Sequence, residues 1–286
     1  MSTANARLLQ EPGRSPILRI GPARSWAALN LRELVEFREL LYFLVWRDIK
    51  VRYKQTALGF AWALLQPLFM MSIFTLVFGR FGKLPSDGVP YSVFTLAALL
   101  PWQLFAHALN ESSNSLVASE RLISKVYFPR LLIPLAAVLG GLADFGVSLL
   151  LLAGLMAWYG IVPGIAVLAL PVFTVAAILT AFAVGLWLSA LNVQYRDVRY
   201  TLTFLTQLWM FATPVAYSAS LVPAEWRALY GLNPMVGVIE GFRWALLGRS
   251  TPPGVELLTS AVAVTLLLVA GLYYFRRVER TFADVI

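Results

Sequence analysis

The sequence predicts an all-α integral membrane protein with six transmembrane helices, preceded by an amphipathic helix and interrupted late by a re-entrant helical hairpin. Three observations predict this class. Hydrophobic residues make up 59% of the 286-residue chain, and only 13% of its residues are charged, against about 25% in ordinary soluble domains. The apolar residues also fall into stretches of roughly 20, the length that a helix needs to cross a bilayer.

Composition excludes several kinds of chemistry. The chain has no cysteine and one histidine, His107, which excludes disulfides, thiolate nucleophiles and a multi-histidine metal site. Its net charge of +8 is explained by membrane orientation, because Lys and Arg collect on the cytoplasmic side. We therefore expect a membrane protein with no nucleic-acid partner.

The N-terminal region divides into an arm and a helix. Residues 1–29 mix prolines and glycines with four arginines, which predicts a cytoplasmic arm, and residues 30–286 are expected to form one transmembrane domain. Asn30 followed by Glu33 forms a capping box that predicts a helix over residues 30–45. Its apolar and charged residues fall on opposite sides, as in a helix lying at the membrane interface. A soluble helix packed on a partner protein is the alternative.

The stretch from Trp46 to Pro67 marks a boundary between water and lipid. Its first half is crowded with charge, and its second half turns apolar while keeping Trp62, Gln66 and Pro67. A basic and aromatic collar of this kind is typical of the head-group level of a membrane. The first transmembrane helix is therefore predicted to begin near Leu58.

Six spans follow from the apolar stretches and the polar segments between them. Their predicted bounds are about 58–78, 91–109, 131–158, 165–191, 200–217 and 255–275. With this assignment 18 Lys and Arg residues lie on one face and five on the other. The asymmetry predicts a multi-pass protein of the plasma membrane with both termini in the cytoplasm.

Residues 218–254 fit neither a span nor a solvated loop. They contain two apolar pieces, 222–232 and 234–247, each too short to cross and separated by Asn233-Pro234. Breaks of this kind survive at membrane depth only when they are buried in protein or line a wet cavity. We predict two half-helices that form a re-entrant hairpin over 222–247, with one tilted span plus a surface helix as the alternative.

Few residues could carry catalysis. The chain contains no GxxxxGK[ST] phosphate-binding loop and no HExxH zinc motif, so it is not expected to bind ATP or zinc in those ways. Its intramembrane ionisable residues are few, and Asp144 is the deepest of them. Such residues are functional candidates in lipid, but for Asp144 we favour pairing with an arginine over a proton pathway.

Aromatic residues line up on the faces of three predicted spans. The sets are Trp62 and Phe69 in the first span, Tyr91, Phe94 and Phe105 in the second, and Tyr200, Phe204 and Phe211 in the fifth. Sugar rings have apolar faces that pack well on flat aromatic rings. A wide passage lined by these rings could carry a glycan, although each ring alone is equally explained by contact with lipid.

Four motifs occur together and in order. They are WRDIKVRYKQTALGFAWALLQP at 46–67, LNVQYRDV at 191–198, GLNPMVGVIEGFRWALLG at 231–248 and the C-terminal FADVI. From Leu31 to the C-terminus the chain resembles the membrane (permease) subunit of ABC exporters for lipid-linked polysaccharides. That group exports O-antigen, capsule and teichoic acid across the bacterial inner membrane.

The resemblance implies an assembly and a set of roles. It implies a homodimer with a channel between the copies and two copies of a separate ATP-binding subunit, which would hold ATP and Mg²⁺. This chain would then hold no cofactor and no metal, and would not itself be an enzyme. The segment 113–130 would contact the ATPase, and the pair at 222–247 would form the periplasmic gate. The implied contact residues are Arg121, Lys125, Tyr127, Phe128 and Arg130, and the implied gate residues are Pro223, Asn233, Pro234 and Arg243.

The substrate is less determined than the family. The resemblance favours an O-antigen-type glycan on a polyprenyl-pyrophosphate carrier, with capsule and teichoic acid left open. Arg47, Lys50, Arg52 and Lys54 are candidates for binding the pyrophosphate, because cations suit phosphate, although membrane anchoring explains them as well. An ABC permease for a small drug-like or lipid substrate and a membrane-embedded glycan-lipid transferase are the alternatives.

Overall fold

The computed structural model describes residues 31–54, 59–195, 197–248 and 254–279 together with Phe282. The predicted arm at 1–29, the capping residue Asn30 and most of the FADVI motif lie outside these residues. All regular structure within the described ranges is helical. The helices are α1 (Leu31–Glu36), α2 (Arg38–Tyr53), α3 (Gly59–Phe74), α4 (Tyr91–Ala118), α5 (Glu120–Lys125), α6 (Leu132–Gly140), α7 (Leu142–Trp158), α8 (Leu170–Gln194), α9 (Val198–Phe211), α10 (Ala224–Tyr230), α11 (Pro234–Leu247) and α12 (Val255–Val278).

Within the described ranges, five helical segments are long and apolar enough to cross a membrane. They are Ala61–Phe81, Tyr91–Ala118, Leu132–Trp158, Ile165–Gln194 and Val255–Val278. They coincide with the first four and the last of the predicted spans. The first ends in a π-helical turn, Thr75–Phe81, and the fourth begins with a 3-10 turn, Ile165–Ala169.

The predicted fifth span has a different form. The helix α9 has 14 residues, so it is about 21 Å long, and residues 212–217 form turns rather than more helix. That length is short of the roughly 20 residues that cross a bilayer. A sixth crossing at 200–217 therefore stays a prediction.

Helix α4 is the centre of the bundle. It packs against α3, α6, α7, α8, α9 and α11, and 18 of its 28 residues are buried. Ala97, Ala98 and Ala108 are fully buried. Their small side chains let the neighbouring helices approach closely. The helix continues to Ala118, beyond the predicted end at 109, because Ser112, Ser113 and Leu116 are buried against the neighbouring helices.

One end of the bundle has its own apolar cluster. Leu44 of α2 joins Ile123 of α5, Leu132 of α6, Ala190 of α8 and Phe275 of α12. With Leu116 of α4, the cluster joins six described helices at the end where α2 enters the bundle. Helix α2 itself runs on to Tyr53, beyond the predicted helix at 30–45, and its position at a membrane interface stays a prediction.

Two short helices occupy the region of the predicted hairpin. Helix α11 begins at the expected Asn233-Pro234, with the Asn233 side chain accepting a hydrogen bond from the Met235 amide at 3.2 Å. It ends at Gly248 with φ of 63°, the left-handed conformation that favours glycine. Because 12 of the 14 residues of α11 are buried, the helix lies inside the bundle. Its depth in a bilayer stays a prediction.

Candidate functional site

A cavity of about 320 Å³ lies between α2 and α3 on one side and α4 and α7 on the other. Charged and polar side chains line it together with apolar ones. The lining residues are Arg52, Tyr53, Trp62, Ala63, Gln66, Pro67, Leu100, Gln103, Leu104, His107, Gly141, Asp144, Phe145 and Ser148. Its volume is at the small end of the range for ligand pockets, about 300–1,000 Å³.

Two of the lining residues form an ion pair. The Nη1 atom of Arg52 lies 2.5 Å from Oδ2 of Asp144, and the Tyr53 hydroxyl donates a hydrogen bond to Oδ1 of the same carboxylate. Asp144 therefore meets an arginine, the pairing that its depth in the sequence favoured. The pair neutralises Arg52 and ties the end of α2 to α7.

Tyr53 has a perturbed hydroxyl. Burial, the hydrogen bond to Asp144 and the negative charge of that carboxylate together raise the pKa of Tyr53 to about 12. The hydroxyl is therefore protonated at physiological pH and remains a donor to Asp144.

Three polar side chains of the cavity have no protein partner. Within the described chain, neither Gln66 nor Gln103 makes a hydrogen bond with its side-chain amide, and the buried Nε2 of His107 has none either. The ring of His107 packs on Gly141, where a Cβ atom would lie 3.1 Å from its Cδ2. Gln66 lies on the first candidate span, and Gln103 and His107 lie on the second.

The other predicted head-group cations lie on α2 and differ in their pairing. Arg47 contacts the neighbouring Asp48 at 2.8 Å, and the Lys50 ammonium lies 5.5 Å from the centre of the Trp46 ring. Lys54, at the end of α2, is exposed. In the described part of the chain, only Lys50 and Lys54 of the four have no carboxylate partner.

The predicted aromatic faces separate into exposed and buried sets. Trp62, Phe69, Tyr200, Phe204 and Phe211 are all more than half exposed. Phe94 and Phe105 are buried in the core, and the Tyr91 hydroxyl donates to the Ala216 carbonyl. In this conformation Phe94 and Phe105 cannot line a passage, because α4 lies at the centre of the bundle. The rings on α3 and α9 are exposed and could line one.

The predicted ATPase contacts lie around α5. Arg121, Lys125 and Tyr127 are exposed. Phe128 is buried, and Arg130 faces inward, where it donates to the Glu279 carbonyl. The exposed three form a surface that a partner could reach, and the other two hold that surface to the bundle.

Arg243 is the central residue of the predicted gate. It is 2% exposed and donates to the carbonyls of Val215 and Tyr217 at 3.0 and 3.1 Å. It also pairs with Glu240 at 3.0 Å, and its guanidinium lies 3.7 Å from the centre of the Phe94 ring. Arg243 therefore joins α11 to the turns that follow α9.

Asn233, another residue of the predicted gate, also joins α11 to α9 and to the turns that follow α9. The Asn233 Oδ1 accepts from Trp209 of α9 at 2.9 Å, and its Nδ2 donates to Thr213 at 2.9 Å. Pro234 begins α11, and Pro223 precedes α10.

The sequence carries no signal for the cavity role of Tyr53, whereas Gln66 and Gln103 could have been found as polar residues within apolar spans.

Comparisons with known proteins agree with this architecture. The family model described as ABC-2 type transporter matches residues 39–247. The chain is 31% identical over 258 residues to the O-antigen export system permease protein RfbA of Myxococcus xanthus, covering 90% of this chain and 98% of that protein. A Klebsiella pneumoniae protein of the same name is 27% identical over 250 residues, or 87% and 95% of the two chains. The polysialic acid transport protein KpsM of Escherichia coli is 25% identical over 238 residues, or 82% and 91%.

Proposed function

The chain belongs to the ABC-2 type transporter family, and on that premise we propose that it is the transmembrane subunit of an ATP-driven exporter of lipid-linked polysaccharide. The first choice of substrate is an O-antigen-type glycan on a polyprenyl-pyrophosphate carrier. The observation that carries this proposal is the 31% identity to an O-antigen export permease over 98% of that protein's length. Similarity over nearly the whole of both chains supports a shared transport role and not merely a shared fold.

The energy for transport would come from another chain. Permeases of this family work with separate ATP-binding subunits. We place that contact on the surface formed by Arg121, Lys125 and Tyr127, which are exposed. Arginine and tyrosine are residue types that are enriched at interfaces. Two ATP-binding subunits, holding ATP and Mg²⁺, would serve one homodimer of this chain.

The passage would run between two copies of the chain. The exposed rings of α3 and α9 give a protomer two aromatic faces that can support a sliding sugar chain. In this arrangement α9 and the turns at 212–217 form a sixth crossing, which returns both termini to the cytoplasm. The pair α10 and α11 then lies at the outer end of the passage as a gate, held to α9 by Arg243.

Lys50 and Lys54 would bind the carrier pyrophosphate. Both are exposed, and neither has a carboxylate partner within the described ranges. Arg47 and Arg52 are paired with Asp48 and Asp144, so their charge is largely compensated. Lysine ammonium groups bind phosphate as point charges.

The proposal is tested by deleting the gene in its native host and restoring it with a tagged copy. We expect deletion to abolish surface O-antigen while lipid-linked glycan accumulates inside the cell. The tagged chain should purify with an ATP-binding subunit whose ATP hydrolysis rises on addition of lipid-linked glycan. Normal surface glycan after deletion, or recovery of the chain without any ATPase, would overturn the proposal. Loss of capsule or teichoic acid in place of O-antigen would correct the substrate alone.

The same purified complex tests the carrier site. Replacing Lys50 and Lys54 with Gln should reduce the stimulation of ATP hydrolysis by lipid-linked glycan, because the pyrophosphate loses its cations. Arg38→Gln, a matched loss of exposed charge on the same helix, should leave the stimulation unchanged. Equal stimulation in the lysine variant would remove Lys50 and Lys54 from the site.

A further inference from the structure

The cavity between α3, α4 and α7 contains a set of polar groups that the transport roles above do not use. Gln66, Gln103 and His107 all line it, and within the described residues none of the three pairs its amide or its Nε2 atom with protein. All three lie on candidate membrane spans, where a polar group without a partner is costly. The Nε2 of His107 is buried, Gln103 is half-buried, and Gln66 is exposed. Such groups are most simply explained by a ligand that satisfies them.

We propose that this cavity is a binding site for one neutral sugar residue. An amide side chain offers two donors and a carbonyl acceptor, and histidine offers one of each when it is neutral. Sugar hydroxyls both donate and accept, so they match such groups. A phosphate oxygen only accepts and would leave the amide carbonyls unsatisfied.

The charge of the cavity also favours a neutral ligand. Its one arginine is Arg52, and this side chain is bound to Asp144 at 2.5 Å. The carboxylate is further bound by the Tyr53 hydroxyl. An anion entering the cavity would meet a neutralised arginine next to a negative group, and an alkyl chain would leave the polar side chains unpaired.

Shape restricts the ligand to a single sugar. The volume of about 320 Å³ is too small for a polymer, and residues of the four helices α2, α3, α4 and α7 line it. Trp62 lines the cavity and is 53% exposed, so its ring face is available to the apolar face of a sugar. The proposal rests on the proposed function only in naming the exported glycan as the source of the sugar.

The absence of cysteine from the sequence permits a direct test. Ala63 lines the cavity, so Ala63→Cys places the only thiol of the chain there, and Ala61→Cys is a matched control on the same helix outside the lining. The complex is purified in a polyoxyethylene detergent, which carries no sugar. The rate of thiol modification by a methanethiosulfonate reagent is then measured with octyl glucoside or with octyl phosphate.

Octyl glucoside at about four times its dissociation constant should slow modification of Ala63→Cys about fivefold, because a bound site excludes the reagent. Ala61→Cys should not change with either additive. The protection should disappear when Gln66→Leu and Gln103→Leu are added to Ala63→Cys. If that combination does not elute as a native particle, Ala63→Cys with Gln103→Met, which keeps the side-chain length, replaces it.

Three results would overturn the site. Equal protection by octyl phosphate would assign the binding to the octyl chain that both probes share, protection that survives the glutamine substitutions would place the sugar elsewhere, and no protection would leave the cavity to water. ATP hydrolysis by the complex carrying Ala61→Cys is measured in parallel. If that activity still responds to lipid-linked glycan, the exporter proposal survives the loss of this site.

Discussion

Arg52 is the residue whose role changes most between sequence and structure. In the sequence it is one of four cations next to the first span, and all four are candidates for the carrier phosphate. In the structure Arg52 forms an ion pair with Asp144, and the Tyr53 hydroxyl donates a hydrogen bond to the same carboxylate. Both side chains are about 30% exposed or less, so the pair is shielded enough to matter for stability.

Asp144→Asn should lower the stability of the purified protein by about 1–2 kcal/mol, because it removes a charged hydrogen bond and leaves Arg52 without its counter-charge. Arg52→Gln should lower the stability by at least as much. The double variant should lose less stability than the sum of the two single losses, because it leaves neither charge without its partner. Thermal unfolding in detergent, followed by size-exclusion chromatography, measures all three.

Arg47→Gln is the control for this series. Its partner Asp48 is adjacent in sequence and its own side chain is 42% exposed, so the change should be within about 0.5 kcal/mol. Equal losses at Arg47 and Arg52 would contradict a structural role for the pair. The sequence identifies Asp144 as a residue in need of a partner, but it does not identify Arg52, because that choice depends on how α2 packs against the bundle.

At the scale of elements, the bundle depends on places where two helices nearly touch. Helix α12 packs against α8 at Gly271, where an added Cβ atom would lie 2.8 Å from the Ala183 carbonyl oxygen and 2.9 Å from the Trp187 ring. Trp187 is further fixed by stacking on Tyr274 at 4.9 Å. The backbone and the ring are both held in place, so neither can move aside at little cost.

Gly271→Ala should therefore destabilise the protein by about 1–3 kcal/mol through overpacking. Gly146→Ala is the matched control, because it lies within α7 and a Cβ atom there would meet nothing within 4 Å. Alanine favours helix over glycine by up to about 1 kcal/mol, so that variant should be neutral or slightly more stable. The midpoint of thermal unfolding distinguishes the two, and equal midpoints would contradict the close contact.

The same scale shows where sequence reasoning succeeds and where it stops. Long apolar stretches and the Asn233-Pro234 break predict the helices and boundaries of most of the bundle, since length and capping are local properties. The end of α9 is different, because residues 212–217 are apolar enough to continue a span. Pro214 has no amide hydrogen for a helical hydrogen bond and favours the turn locally. Arg243 also binds the carbonyls of Val215 and Tyr217, a contact between distant elements that hydropathy does not register.

At the scale of the whole molecule, the described chain is a helical bundle with an exposed surface around α5. The exposed Arg121, Lys125 and Tyr127 lie around α5, and the buried Phe128 and inward-facing Arg130 fix this surface to the end of α12. A push on α5 would therefore be transmitted to both α6 and α12. The sequence resemblance names all five residues but does not separate the exposed three from the anchoring two.

Arg121→Glu combined with Tyr127→Ala should weaken binding of the ATP-binding subunit about 10- to 100-fold, because arginine and tyrosine often dominate interface energies. Retention of that subunit on the immobilised permease, at increasing subunit concentration, measures the change. Trp158→Ala is the control, since this ring is 84% exposed and lies at the far end of α7. Unchanged binding by the double variant would move the contact away from α5.

The ion pair between Arg52 and Asp144 also has a consequence for biosynthesis. The two residues are separated by 92 positions in the chain, and a ribosome adding about 5–20 residues per second makes that interval last roughly 5–20 seconds. During this time Arg52 lacks its carboxylate partner and stays hydrated. Docking of α2 by this ion pair is therefore completed only after the start of α7 has been synthesised.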